Sequence, residues 1–227
     1  MTTNAITRDI RAVARSRLGR ERVLRAAISL ADASGLESVS MRKLAEQLEF
    51  APMALYRHVA NREDLNDGMV DIVFSEIDVP VAGVDWKVAM RRRAISVRDV
   101  LLRHRWAIGL MESRSHPGPA NLRHHDAVLG NLRAAGFDVA LAAHAYSLLD
   151  SYVYGFALTK LNLPFEGGSD VADMAQEMLE PFPLGEYPSL LEFITEHAMK
   201  PGYDFADEFE YGLDLVLDGL AAALAAR

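Results

Sequence analysis

An all-α fold is predicted by three features of the chain. Apolar residues recur at helical spacing from Arg20 to Ala225. No segment shows the strict alternation of a half-buried strand. The breaks between the periodic stretches carry Gly or Pro, at Gly35, Pro80 to Gly83, Pro117 to Pro119 and Gly136. At 227 residues the chain is long enough to bury a sizeable core in one or two domains. It has no cysteine, which excludes a disulfide framework, a thiolate zinc site and a thiolate nucleophile. The first twenty residues lack the apolar core of a secretory signal, and no run of apolar residues reaches the length of a membrane span, the stretch from Val139 to Leu161 being interrupted by His144, Asp150 and Lys160. These features point to the cytoplasm.

The first firm helix runs from Arg20 to Ser34, with Val23, Ala26, Ala27, Leu30 and Ala31 as its apolar stripe and Gly35 as its stop. Before it, Arg8, Arg11, Arg15 and Arg17 make residues 1–19 a basic arm. The organising stretch is Ser40 to Val59. Ser40 is a good N-cap, and Val39 and Leu44 have the spacing of a hydrophobic staple. Leu44, Ala45 and Leu48 share one face, Glu49-Phe50-Ala51 makes a turn, and Pro52 suits the start of a second helix whose Leu55 and Val59 point back at the first. That leaves Pro52, Met53, Tyr56, Arg57 and His58 largely outside. Such a helix fits a DNA major groove, where apolar groups touch thymine methyls and Arg, Tyr and His reach bases and phosphates. The pattern alone also allows a two-helix corner packed on a third helix.

Charge bears on the choice. The net charge is −8, but residues 1–62 hold eleven Lys/Arg against six Asp/Glu, and residues 63–227 hold thirteen against twenty-six. A basic head on an acidic body is the footprint of a DNA reader with a regulatory domain. Asn61 caps the next helix, with Asp64 at its third position as in a capping box. Leu65, Met69, Ile72, Val73 and Ile77 form its stripe to about Asp78.

The second half begins near Asp85. A helix is expected from Trp86 to Arg103, with Val88, Ile95, Leu101 and Leu102 facing inward and Arg91-Arg92-Arg93 as a solvated face with acidic partners. A shorter helix from Trp106 to Ser113 follows, then one from about Ala120 to Ala135 carrying Leu122, Val128, Leu129 and Leu132. Asp138 to Leu161 is apolar nearly all round, so several of its faces must be covered. Pro164 to Pro188 holds seven Pro or Gly residues, six acids and no base around a short helix at Val171–Leu179, and reads as a mobile loop over an entrance. Ser189–Met199 and Ala206–Ala225 are the last helices.

Arg42-Lys43-Leu44-Ala45, Leu55-Tyr56-Arg57-His58-Val59 and Asn61-Arg62-Glu63-Asp64-Leu65 together resemble the DNA-binding domain of the tetracycline-repressor (TetR) family. The resemblance is clear over residues 20–78 and weaker from Asp85 to about Lys160. It implies an N-terminal three-helix helix-turn-helix DNA-binding domain over 20–66, preceded by the arm and joined by a fourth helix to a helical ligand-binding and dimerisation domain over 67–227. It implies that Met41, Arg42, Lys43, Pro52, Met53, Ala54, Tyr56, His58 and Arg62 meet double-stranded DNA, Arg42 resembling a base-contacting position and Tyr56 and His58 phosphate-contacting ones. Two residues depart from the family pattern. Glu49 stands where Gly is common in the turn, and Ala51 where Ser or Thr often caps the reading helix.

The resemblance further implies a homodimer on a palindromic operator, paired through Asp138–Leu161 and Ala206–Ala225 with Leu149, Val153, Leu213, Leu217 and Leu220 at the interface. It implies a small-molecule effector among the middle helices that releases DNA, with His104, Trp106, Met111, His125, Tyr146, Asp150 and Tyr154 as candidate liners, a mix of aromatic, thioether and polar groups suited to a ligand site. Founding members bind a metal-chelated drug, but His116, His124 and His125 lack convincing metal spacing, so no cofactor or obligatory metal is expected. There is no Gly-rich phosphate loop, nucleophile motif or plausible acid pair, which speaks against an enzyme. The leading expectation is a ligand-released repressor; the alternative is an orphan DNA-binding dimer or an activator without a ligand switch.

Overall fold

The computed structural model describes residues 18–163, except 112, 114 and 115, and residues 186–227, except 201. The arm (1–19) and the expected loop with its helix at 171–179 fall largely or wholly outside the described residues. Every regular element among the described residues is helical: α1 (Arg20–Ser34), α2 (Met41–Leu48), α3 (Pro52–Leu55), α4 (Arg62–Ser75), α5 (Trp86–Arg103), α6 (Ile108–Met111), α7 (Pro119–Ala134), α8 (Val139–Asn162), α9 (Pro188–Phe193) and α10 (Glu208–Ala225). Short 3-10 turns precede α6 and α10, and a π turn, Ile194–Ala198, follows α9. No described helix is long and apolar enough to cross a membrane.

The chain divides into two compact units, Met1–Glu76 with Arg103–Leu122, and Ile77–Leu102 with Arg123–Arg227. The first unit thus runs ten residues beyond the boundary expected at 66 and takes in a later segment. Its core is Val23, Leu24, Ala27, Ile28 and Ala31 of α1 against Val39, Leu44, Ala45, Leu48, Leu55, Val59, Leu65 and Met69, with Trp106 packed on it. The local signals hold in atomic detail. The Ser40 hydroxyl accepts from the Lys43 N–H at 3.2 Å, the staple pair Val39 and Leu44 is buried, and the Asn61 side chain accepts from the Asp64 N–H at 2.9 Å. α3 is shorter than expected. It spans four residues and lacks a side-chain cap at Ala51, and the chain then passes through a turn at Tyr56–His58 in which the His58 and Val59 N–H groups both bond the Leu55 carbonyl. α4 stops at Ser75 rather than Asp78.

In the second unit, α5 has its expected bounds but not its expected face. Val88 is exposed and Ile95 and Leu102 only half-buried, while Ala89, Met90, Arg93, Ala94, Val97, Val100 and Leu101 are buried. The small residues Ala89 and Ala94 mark the side on which neighbours approach, and they carry little weight in a hydrophobicity reading. The arginine run is corrected in the same way. Arg91 pairs with Glu210 and Asp214 of α10 and Arg92 is exposed, but Arg93 is 1% exposed. On α7, Val128 and Leu132 are buried as expected, whereas Leu122 and Leu129 are exposed. α8 packs against α10. The Tyr152 hydroxyl donates to the Phe209 carbonyl at 2.9 Å, an approach open only because Gly212 has no side chain: a Cβ there would lie 2.3 Å from that hydroxyl. Leu149, Val153, Leu213 and Leu217 are fully buried and Leu220 is 5% exposed within the single chain, so these five pack its own core. The apolar residues that α8 and α10 leave on the surface are Val139, Leu148, Leu158, Tyr211 and Leu215.

Candidate nucleic-acid interface and ligand-site residues

The first unit presents a helix-turn-helix. α2 is fixed by its Ser40 cap and its buried Leu44, Ala45 and Leu48. The turn is made by Glu49 in the left-handed conformation, φ 61° and ψ 41°, which only Gly adopts without steric cost. This explains why Gly suits that position and shows that Glu49 achieves the same geometry. α3 is anchored by Leu55 and, four residues on, Val59, both buried. Its outer face carries Pro52, Met53 and Tyr56, with Met53 75% and Tyr56 46% exposed. Arg42, Lys43 and Arg57 are exposed as well, and Met41, Ala54 and His58 are half-buried. Five of the nine sequence-named residues thus lie on or just after the uncapped, four-residue α3, and three, Met41, Arg42 and Lys43, on the first turn of α2. Arg62 differs. Its guanidinium donates to the carbonyls of Val39 and Leu36 (2.9 Å to the latter), so it braces the entry to α2.

A second pair was not legible from sequence. Arg20, the first residue of α1, meets Asp64 in a forked contact, with 2.6 Å from Nη2 to Oδ1 and 2.9 Å from Nη1 to Oδ2. Nη1 also donates to the His58 carbonyl at 2.9 Å, and Asp64 Oδ2 accepts from the Ala60 N–H at 2.7 Å. The hydrogen bond from Arg20 and that from the Ala60 backbone hold the Asp64 carboxyl below the usual carboxylate range, against an opposing effect of burial. The capping-box expectation for Asp64 identified its helix position but not its partners.

The seven candidate ligand residues divide between the units. His104, Trp106 and Met111 belong to the first unit. His104 is buried with Nδ1 2.8 Å from Asp32 and Nε2 3.1 Å from Glu76, and the Trp106 indole donates to Asp32 at 2.7 Å. His125, Tyr146, Asp150 and Tyr154 belong to the second. Tyr146 stacks on His125, ring centroids 4.9 Å apart, with its hydroxyl 3.3 Å from Nε2. Asp150 pairs with buried Arg93 at 2.5 Å. The Arg93 guanidinium carbon lies 5.2 Å from the centre of the Tyr146 ring, and its Nε donates to His124 Nε2 at 3.2 Å. Burial, then the nearby charges of Arg93 and His125, push His124 down to about 3, so it is a neutral acceptor near neutral pH. Arg93 and His124 thus complete a polar cluster of which sequence named only the other members. The available signal was position: Arg93 lies four residues from Ala89 and four from Val97, on the buried stripe. No group of three or more His, Cys, Asp or Glu among the described residues is arranged to hold a metal.

Residues 23–67 match the model for bacterial regulatory proteins of the tetR family, and residues 79–224 match the tetracyclin repressor-like C-terminal domain. The chain belongs to the TetR family of transcriptional repressors. Its relatives include the HTH-type transcriptional repressor DrrR1 of Streptomyces coeruleorubidus, 32% identical over 216 residues that cover 91% of this chain and 78% of DrrR1. The class A tetracycline repressor protein from transposon 1721 of Escherichia coli is 30% identical over 202 residues, 88% of each chain. Among solved structures, ActR of Streptomyces coelicolor in complex with actinorhodin superposes with a TM-score of 0.73 at 30% identity, covering 92% of this chain and 99% of ActR. As a TetR-family member the protein is a DNA-binding regulator and not an enzyme. The family assignment agrees with the helix-turn-helix read from Ser40 to Val59 and with the all-α architecture.

Proposed function

We propose that this TetR-family protein is a homodimeric, sequence-specific repressor that binds a palindromic operator in the cytoplasm and is released from it by a small-molecule effector. The observation that carries the reading is the outer face of α3. Pro52, Met53 and Tyr56 stand exposed beside Arg42 and Lys43, on a helix whose opposite side is anchored in the core by Leu55. A face of this kind meets base edges and methyls while its basic flanks meet phosphates. Met41, Arg42, Lys43, Pro52, Met53, Ala54, Tyr56 and His58 are the proposed DNA contacts, with Arg62 holding α2 rather than touching the duplex.

Dimerisation through α8 and α10 follows from the apolar surface these helices leave uncovered, Leu148 and Leu158 on one, Tyr211 and Leu215 on the other. Two reading helices related by a two-fold axis double the site. An effector-binding region is supported by the polar cluster of His125, Tyr146 and Asp150 with Arg93 and His124, and by relatives whose names record small molecules, tetracycline for one and actinorhodin for ActR. Release requires that the effector bind the DNA-incompetent arrangement of the dimer more tightly than the competent one.

Selection of bound duplexes from a random DNA pool by the purified protein tests the reading. The expected product is a palindrome with half-sites about one helical turn apart. Tyr56→Ala should weaken binding to it with the dimer and the melting temperature intact. Failure of the folded dimer, refolded free of small molecules, to enrich any sequence at low salt would overturn the proposal.

A further inference from the structure

We propose that Arg20 and Asp64 are positioning residues for DNA reading: together they grip the backbone on the exit side of α3 and so set the angle at which its outer face meets the duplex. The inference rests on the DNA-reading function proposed above and names which residues outside the contact face control it.

The need for such a grip follows from α3 itself. It has four residues, no side-chain cap at Ala51 and a turn immediately behind it. A helix of one turn does not sustain its own geometry, because nucleation costs more than one hydrogen bond returns. Its entry side is set by the Glu49 turn, and Leu55 and Val59 fix its depth in the core. Depth is not orientation. The segment His58 to Ala60 lies between α3 and α4, and it is there that the two side chains act. Arg20 holds the His58 carbonyl at 2.9 Å, and Asp64 holds the Ala60 N–H at 2.7 Å. The two close on each other through the fork at 2.6 and 2.9 Å, while Arg20 Nη2 also reaches the Asp64 carbonyl at 3.2 Å. Planar, two-point Arg–carboxylate contacts fix direction as well as distance. The grip therefore ties the start of α1, the start of α4 and the exit of α3 into one frame. Both Arg20 Nη atoms donate to groups of the protein itself.

This arrangement predicts a separation between two kinds of DNA binding. Sequence-independent affinity depends on the number of basic groups near phosphates. Reading of base edges depends on placement of a few side chains to within a fraction of an ångström. Arg20→Lys keeps the charge and removes the fork. It should weaken binding to the selected operator about 10-fold, the size of losing one base-pair recognition, and leave binding to a scrambled duplex of the same length within about 2-fold. Asp64→Asn, which keeps an oxygen for the Ala60 N–H, should lose less. Arg20→Ala should leave the dependence of operator binding on salt unchanged.

The test is titration of the full-length wild-type and variant dimers with the selected and scrambled duplexes at two salt concentrations, with melting followed by circular dichroism. A fall in the operator-to-scrambled ratio, in dimers folded at the assay temperature, supports the proposal. An unchanged ratio with a lower melting temperature would show that the pair serves only stability and would overturn it. A reduced salt dependence in Arg20→Ala, equal on both duplexes, would make Arg20 a phosphate contact and would overturn it too. If the wild-type protein itself does not distinguish the two duplexes, the DNA-reading function fails first, and this inference falls with it.

Discussion

Breaking the buried pair in the second unit should be the most damaging single change outside the reading head. Arg93 is 1% exposed and contacts Asp150 at 2.5 Å. Arg93→Met removes the cation and leaves a carboxylate with no counter-charge in a buried site, which costs about 3 to 5 kcal/mol. The Nε bond to His124 and the contact with the Tyr146 ring are lost with it. The pair is not itself a large source of stability, however. Arg93 Nη1 and Asp150 Oδ2 make no hydrogen bond among the described residues, and an incompletely satisfied buried ion pair gains little over an apolar pair of the same volume. Arg93→Met with Asp150→Leu should therefore recover most of the loss, to within about 1 kcal/mol of wild type. The two tryptophans separate the units, since Trp86 lies in the second and Trp106 in the first. In a Trp106→Phe background, urea unfolding followed by fluorescence reports the second unit alone. A cost below about 1 kcal/mol for Arg93→Met, or a double variant as unstable as the sum of the singles, would refute the account of a mutually dependent buried pair.

Three further outcomes follow. His124 has a folded value of about 3 against an ordinary 6.5, so the folded state disfavours its protonation; the stability this represents is complete above about pH 6.5 and is lost as pH falls toward 3, at up to about 1.4 kcal/mol per pH unit. His124→Asn should flatten that dependence in urea titrations between pH 6.5 and 5, and an unchanged slope would assign the acid sensitivity elsewhere. Glu49→Gly relieves a left-handed residue costing about 1 to 2 kcal/mol and gives back part of it as backbone entropy, so Trp106 fluorescence should show the first unit more stable by about 0.5 to 1 kcal/mol; a loss of stability would mean that the Glu49 side chain contributes in its own right. Gly118→Ala would put a Cβ 2.3 Å from the Asp71 carboxyl carbon, displacing the group that accepts from the Ala120 and Asn121 N–H groups at 2.8 and 3.1 Å and caps α7. The expected cost is about 1 to 2 kcal/mol in the first unit, and a neutral result would show that Asp71 is dispensable as a cap.

The reading head was legible because its signals are local. A cap at Ser40, a staple across five residues, a turn at Glu49 and a cap at Asn61 each act within one helical turn, and each appears in the structure with its expected partner. What escaped were the braces. Arg20 and Asp64 are 44 residues apart, and Arg62 meets carbonyls 23 and 26 residues away. Such contacts depend on how three helices cross, which no periodicity encodes. Arg62 also shows how one basic residue at a helix start fits two roles equally well on sequence grounds, contact with phosphate or with the protein's own carbonyls, until the carbonyls are located.

The second unit shows a different limit. α8 is apolar nearly all round, so its sequence states that more than one face is covered without ranking them. Leu149 and Val153 are spent on the chain's own core together with Leu213, Leu217 and Leu220 of α10, and the surface is left to Val139, Leu148, Leu158, Tyr211 and Leu215. Hydrophobicity alone would assign both sets to either role. What separates them is the polar company of each face. Asp150 is turned inward with Leu149 and Val153, where Arg93 of α5 meets it, and Glu210, Asp214 and Asp218 of α10 are matched by Arg91 and Lys87 of α5. These four contacts lie on the sides of α8 and α10 that also bury Leu149, Val153, Leu213 and Leu217, and that rotation leaves the other leucines outside. A dimer built on the exposed leucines therefore depends on that rotation. Charge reversal at Arg91 should weaken self-association as surely as Leu215→Glu does, and sedimentation equilibrium of the two variants would show it. Loss of the dimer in Leu215→Glu alone would refute the dependence, since the exposed face would then be set without the α5 charges.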